Sequence, residues 1–200
     1  MKNIVLAITG ASGAIYGLRL VKEILASGAH LTLLISDTGF RVIREETGLD
    51  PKDGGDVTKT LAAFFSPKTG MLHYYEEDDF FAPIASGSSA PDAMVVCPCS
   101  MGSLSRIACG SSGTLLERCA DVMLKERRPL ILVPRETPLN EIHLENMLKL
   151  ARMGARIVPA MPAFYHHPES VDDLIDFVVG KVLDSIGIEN RLFKRWGINQ

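Results

Sequence analysis

Arg135 and Glu136 stand side by side in the run Val133-Pro134-Arg135-Glu136-Thr137-Pro138, directly after an apolar stretch with the composition of a strand. A guanidinium can clamp phosphate oxygens through a bidentate fork. A carboxyl held beside phosphate charge has its pKa raised, so it can carry a proton to a leaving group. The pair therefore suits chemistry on a phosphorylated molecule. Tyr165 offers a phenol to the same kind of ligand from the aromatic loop Pro159-Ala160-Met161-Pro162-Ala163-Phe164-Tyr165-His166-His167-Pro168, in which Phe164 is expected to pack. Lys125 is divided between a phosphate role and a helix pair with Asp121, whereas Arg127 and Arg128 are expected in solvent.

Two loops have the build of anion sites. The first, Thr9-Gly10-Ala11-Ser12-Gly13-Ala14-Ile15-Tyr16-Gly17, places small residues where a strand turns into a helix, so that a phosphate can reach the first N–H groups of that helix. A tight turn without ligand would use similar residues. The second, Cys97-Pro98-Cys99-Ser100-Met101-Gly102-Ser103-Leu104-Ser105, follows another strand and adds hydroxyl donors at Ser100, Ser103 and Ser105, although serine also serves simply as a helix cap. Two such loops on one sheet favour a bound mononucleotide.

Other chemistries fit less well. Cys97, Cys99, Cys109 and Cys119 lack the knuckle spacing of a structural zinc site, and Cys119 lies on an apolar helical face, so they read as small core residues. His143, His166 and His167 show no metal spacing. Asp37 follows the second strand, where a ribose-binding acid of a dinucleotide enzyme would sit. The glycine spacing nevertheless departs from G-x-G-x-x-G, and no tyrosine has a lysine four positions later.

The elements that must position these residues follow from hydrophobic period. Apolar, β-branched runs at Ile4–Ile8, Leu31–Ile35, Ala93–Cys97, Leu130–Val133 and Arg156–Val158 alternate with stretches of helical spacing. Strands without polar alternation are buried on both faces, which predicts an α/β fold with a doubly wound parallel sheet and ligands at its carboxyl edge. Thr114 to Glu126 reads as an amphipathic helix with Leu115, Leu116, Cys119, Val122 and Met123 inward and Glu117, Arg118, Asp121 and Lys125 outward. Ile142, Met147, Leu148 and Leu150 mark another helix ending near Gly154, and a third starts at Ser170 and stops by Gly187. Asp50 to Gly70 reads as a surface excursion with one weak helical patch at Leu61 to Phe65. Residues 1–200 are expected to form one domain, with a tail over 188–200 whose single tryptophan, Trp196, seeks a subunit contact or acts as a lid.

Composition narrows the class. A hydrophobic share of 46%, a charged share of 22% and a formal net charge of −3 are globular values that give no reason to expect nucleic acid as partner. The apolar start of the chain is too short for a signal-peptide core, and no run approaches the ~18 residues of a membrane span. Few, clustered cysteines suit a reduced compartment, and the cytoplasm is expected.

Six segments in order, Thr9–Ala14, Ser86–Pro91, Cys97–Ser100, Ala120–Pro129, Val133–Pro138 and Pro162–His166, closely resemble the UbiX/Pad flavin prenyltransferases over nearly the whole chain. The resemblance implies a flavodoxin-like Rossmann unit, a homo-oligomer that is typically a dodecamer, FMN bound between subunits, and no metal. It implies that reduced FMN receives a dimethylallyl group from dimethylallyl phosphate at N5 and C6, giving prenylated FMN for a UbiD-type decarboxylase. Gly10, Ala11, Ser12, Ser36, Ser100, Met101, Gly102, Ser103 and Arg135 match the family's FMN contacts. Tyr165 and Lys181 match prenyl-phosphate positions, joined by Arg118 and Lys125 from a neighbouring subunit. Glu46 and Glu136 match the acids of proton transfer, with Ser12 in their hydrogen-bond network, and Trp196 matches an aromatic near the prenyl group. Lys181 stands where a well-matched relative has Arg, and a point charge does not grip phosphate bidentately. The rival classes are a related FMN-dependent cysteine decarboxylase, whose Pro-x-Met-Asn signature is absent, and a flavin carrier, which would have no use for the Arg135-Glu136 pair.

Overall fold

The computed structural model describes residues 1–67 and 71–197. Six strands, β1 (Asn3–Ile8), β2 (His30–Ile35), β3 (Leu72–Tyr74), β4 (Ala93–Cys99), β5 (Leu130–Pro134) and β6 (Arg156–Ile157), form one sheet in the order β3-β2-β1-β4-β5-β6. Every neighbouring pair is parallel. This is the doubly wound arrangement, whose topological switch lies between β1 and β4.

The absence of alternation in the strands has its reason in the two cores. Ile4, Leu6 and Ile8 point into one cluster with residues of α1 (Ala14–Ala26), α2 (Asp37–Thr47), α3 (Val57–Phe65) and α7 (Val171–Ser185). Val5 and Ala7 point into a second cluster with α4 (Met101–Ala108), α5 (Leu115–Lys125) and α6 (Glu141–Arg152). Each face is covered, so every position in β4 and β5 is buried. An irregularity in β4 between Val96 and Cys99 breaks this alternation, so the side chains of Cys97 and Cys99, two residues apart, enter opposite cores. Burial pushes the thiols of Cys97, Cys99 and Cys119 up.

The expected helix after Thr114 is α5, with Thr114 Oγ1 accepting from the Glu117 amide. The helix expected to stop by Gly187 is α7, with Ser170 as its cap in a capping box with Asp173. The weak patch at Leu61 to Phe65 is the end of α3, which Asp56 caps. Residues 68–70 of the expected surface excursion, and 198–200 of the expected tail, lie outside the described residues.

Four readings need correction. Glu117, assigned to the outer face of its helix, is 3% exposed because Arg106 of α4 covers it. The Asp121–Lys125 pair does not form, since Asp121 bonds Arg118 at 3.3 Å and Lys125 bonds Glu126 at 3.0 Å. In α6 only Leu150 is buried, while Ile142 and Leu148 face outward because the helix packs beside α4 and meets the second core through Met147 and Leu150. The helix α2 was not anticipated: only Gly39, Phe40 and Ile43 of its eleven residues are buried, too few to register as a period. Among the described residues no helix is long and apolar enough to cross a membrane.

Candidate active site

Thr9 directly follows β1, is fully buried, and ties the two anion loops together. Its hydroxyl donates to the Pro98 carbonyl at 2.7 Å and accepts from the Ser100 amide at 2.8 Å. The Thr9 amide donates to the same carbonyl. The carboxyl ends of β1 and β4 are therefore one rigid unit at the switch point, where an open parallel sheet binds its ligand.

Gly13 takes a left-handed conformation with φ of 105°, which brings the chain into α1 without a side-chain cap. The cap comes instead from Glu46, at the far end of α2. Its carboxylate accepts from the Gly13 amide at 2.9 Å and from the Ala14 amide at 2.9 Å. The first turn of α1 was expected to offer these N–H groups to a phosphate. They are engaged by a carboxylate, an anion drawn by the same orphan donors and dipole. The N–H groups of Ala11 and Ser12, just before, have no partner among the described residues. Arg135 reaches this loop from β5, its Nε donating to the Ser12 carbonyl at 2.8 Å. Glu136, next in the chain, is exposed, and its Oε1 accepts from the Thr137 amide at 3.0 Å. Arg135, Ser12 and Glu46 thus meet around one loop, with Glu136 beside them in sequence.

Ser36 and Ser100 are both N-caps. Ser36 Oγ accepts from the Gly39 amide at 3.0 Å and lies 3.2 Å from the Thr38 hydroxyl. Ser100 Oγ accepts from the Ser103 amide and donates to Ser103 Oγ at 3.1 Å. Gly102 is exposed, so its backbone is open to a ligand, but the Met101 side chain is buried in the second core and only its backbone is available. Beside Ser36 opens a cavity of ≈ 530 Å³ lined by Asp37, Thr38, Glu77, Arg106 and the Ser111 to Thr114 loop. Burial pushes the Glu77 carboxyl up, partly opposed by the Asp37 amide that it accepts at 3.2 Å. None of Thr38, Glu77, Arg106 and Glu117 was singled out from sequence as a site residue. The Gly113-Thr114 turn before an amphipathic helix was the one available signal.

Tyr165 sits in a cluster of rings. Its ring meets Trp196 at 5.3 Å, Phe177 at 5.8 Å and His166 at 5.8 Å, each edge to face. Phe177 in turn meets Phe193 at 4.9 Å. The tail is pinned by Arg195, which grips Asp184 of α7 at 2.9 and 2.8 Å. That fork holds the Asp184 carboxyl below the usual carboxylate range. Lys181, exposed on α7, lies one turn after Phe177. Arg118 and Lys125 belong to α5, on the opposite face of the sheet. Arg118 Nε donates to the Ala85 carbonyl at 2.9 Å, beside the Ser86–Pro91 segment. One chain does not bring these two cations to Tyr165 and Lys181.

The Flavoprotein family model matches residues 1–183. The flavin prenyltransferase UbiX of Halalkalibacterium halodurans is 57% identical over 190 residues, covering 95% of this chain and 91% of the relative. Among solved structures, AnUbiX in complex with FMN and dimethylallyl pyrophosphate superposes with a TM-score of 0.89 at 40% identity, covering 100% of this chain and 99% of that one. A dodecameric FMN-dependent UbiX-like decarboxylase from Escherichia coli O157:H7 superposes with a TM-score of 0.86 at 41% identity, covering 97% and 98%.

Proposed function

The chain belongs to the Flavoprotein family and, within it, to the UbiX flavin prenyltransferases, and we propose from that membership how its own residues transfer a dimethylallyl group from dimethylallyl phosphate to reduced FMN. The observation that carries the residue assignment is the meeting of Arg135 with the Ser12 carbonyl beside the loops that Thr9 ties together. The donors there fit a flavin mononucleotide: the amides of Ala11 and Ser12 and the hydroxyls of Ser36 and Ser103 suit phosphate and flavin oxygens, Ser100 orients Ser103 within the same turn, and small Gly10 and Gly102 let the ligand approach backbone. Reduced FMN, when bound, supplies the nucleophilic N5 and C6 that accept the five-carbon unit.

The chain's part is positional and electrostatic. Breaking the allylic C–O bond leaves its electron pair on the phosphate, so cations must face that group. Tyr165 donates to it, and Lys181 neutralises it as a point charge. Because Arg118 and Lys125 lie on the other face of the sheet, a second subunit brings them, and the active species is a homo-oligomer, for which we favour a dodecamer. Glu136 hands the departing phosphate a proton. Glu46, held on the first turn of α1 with Ser12 beside it, takes up a proton as the transfer completes. Trp196 against Tyr165 covers the prenyl group and shields it from water. We place the reaction in the cytoplasm, where the free thiols are stable, and assign the product to a UbiD-type decarboxylase.

Anaerobic incubation of the protein with reduced FMN and dimethylallyl phosphate is the direct test, read by the mass of the flavin. A gain of one five-carbon unit is expected, and Glu136→Gln should slow the gain severely while FMN binding survives. Unmodified flavin with both the monophosphate and the diphosphate donor overturns the assignment. Wild-type turnover in the Glu136 variant overturns its proton role.

A further inference from the structure

We propose that Arg106, held by the buried carboxylate of Glu117, is a positioning residue that makes the Ser103 hydroxyl a hydrogen-bond donor to the bound flavin nucleotide. The inference rests on the flavin site proposed above.

Ser103 is 4% exposed and lies in the first turn of α4. Its Oγ accepts from Ser100 Oγ at 3.1 Å and from Arg106 Nη2 at 3.4 Å. A hydroxyl has two acceptor lone pairs and one proton, so with both lone pairs taken only the proton is left to engage a ligand. Ser100 is committed in the complementary way. Its Oγ accepts from the Ser103 amide and gives its proton to Ser103, while its amide is held by Thr9. The polarity of the pair is therefore set, with Ser103 as its outlet. A donor at this position suits the acceptor-rich oxygens of a phosphate or a flavin carbonyl.

Arg106 would be free to swing away without Glu117, because its own side chain is 55% exposed. The Glu117 side chain is only 4% exposed and accepts from Arg106 Nε and from the Gly113 amide at 2.8 Å. A buried carboxylate is costly unless charge and hydrogen bonds answer it, so this anion fixes the guanidinium in return. The guanidinium then lies over the turn assigned to the flavin: a Cβ placed on Gly102 would sit 3.5 Å from Arg106 Nη1. A salt bridge serving only to join α4 to α5 would have no need for the second guanidinium nitrogen to reach Ser103.

A double-mutant cycle on FMN affinity separates the two roles. Titration of FMN into Arg106→Ala and into Ser103→Ala should each show binding weakened by about tenfold, the effect of one hydrogen bond reinforced by charge. The double variant should bind no worse than Ser103→Ala alone, because Arg106 acts only through the hydroxyl that this variant lacks. Glu117→Gln and Arg106→Lys, each combined with Ser103→Ala, run the same cycle if Arg106→Ala fails to fold. Losses that add across the cycle, or an Arg106 variant with wild-type affinity, overturn the inference and leave the flavin site standing. A wild-type chain that binds no FMN defeats the site and this inference together.

Discussion

The ring of Phe193 occupies the space that a side chain on Gly180 would need: a Cβ built there would lie 2.6 Å from the Phe193 ring. This close approach seats the tail on α7, and Asn190 reinforces it by donating to the Gly180 carbonyl at 3.2 Å. From that seat the chain runs on to Arg195, clamped to Asp184, and to Trp196, set edge to face on Tyr165.

Gly180→Ala should therefore act at a distance. Overpacking of this kind costs about 1–3 kcal/mol when the structure must adjust in place, and the tail can escape it by lifting. Trp196 is the one tryptophan, so its fluorescence reports the movement directly. The expected outcome is a changed Trp196 emission and slower prenyl transfer with FMN affinity retained. Unchanged emission would show that the ring is accommodated without moving the tail.

The Asp184–Arg195 clamp predicts how the tail responds to acid. The folded Asp184 pKa lies below its unfolded value, chiefly through the hydrogen bonds from Arg195. The clamp's contribution is therefore complete above the ordinary aspartate pKa of about 3.9 and is lost as pH falls below that, through the depressed folded value. Trp196 emission should be steady from neutral pH down to that range and change beneath it. The Asp184→Asn variant should show the altered emission already at neutral pH.

Thr9→Val keeps the shape of a buried side chain and removes its hydroxyl. The Ser100 amide loses its buried acceptor, at a cost of about 1–3 kcal/mol. For a chain of this size that corresponds to a fall in melting temperature of roughly 2–4 °C per kcal/mol. FMN affinity should fall as well, because the two loops are no longer joined. A variant that melts lower yet binds FMN normally would confine Thr9 to stability.

Glu46→Gln keeps hydrogen-bonding capacity at the start of α1 and removes the charge. Charge on an exposed helix terminus contributes about 0.3–1 kcal/mol, so the melting temperature should change little. Prenyl transfer should slow strongly. Equal losses of stability and rate, with residual activity tracking the folded fraction, would make Glu46 a cap only.

Arg118→Ala and Tyr165→Phe should complement one another. Each variant alone has every site damaged, whereas subunits mixed by dissociation and reassembly include pairs in which one chain supplies Arg118 and the other Tyr165. Activity recovered on mixing supports a site shared between chains, and no recovery after verified exchange counts against it.

Strands whose apolar residues do not alternate could only be buried on both faces, and this, with the rhythm of such runs and helical stretches, made the doubly wound sheet legible from Ile4–Ile8, Ala93–Cys97 and the other runs together. The small residues of the two loops, and the adjacency of Arg135 and Glu136, were equally plain because backbone approach and strand-end placement are local properties. Glu117 was misread for the same reason: the helical period placed it outward, and only the passage of α4 across it buries it against Arg106. Glu46 lies 33 residues from the Gly13 amide that it accepts, and nothing near it in the chain marks that partner. The proton role proposed for it rests on the likeness to relatives, whereas the seat of its carboxylate at the start of α1 is set by packing. Hydrophobic period reports how each element meets the core, but the partner of a charged side chain is set by which elements cross above it. That crossing is decided when the sheet and helices close on each other.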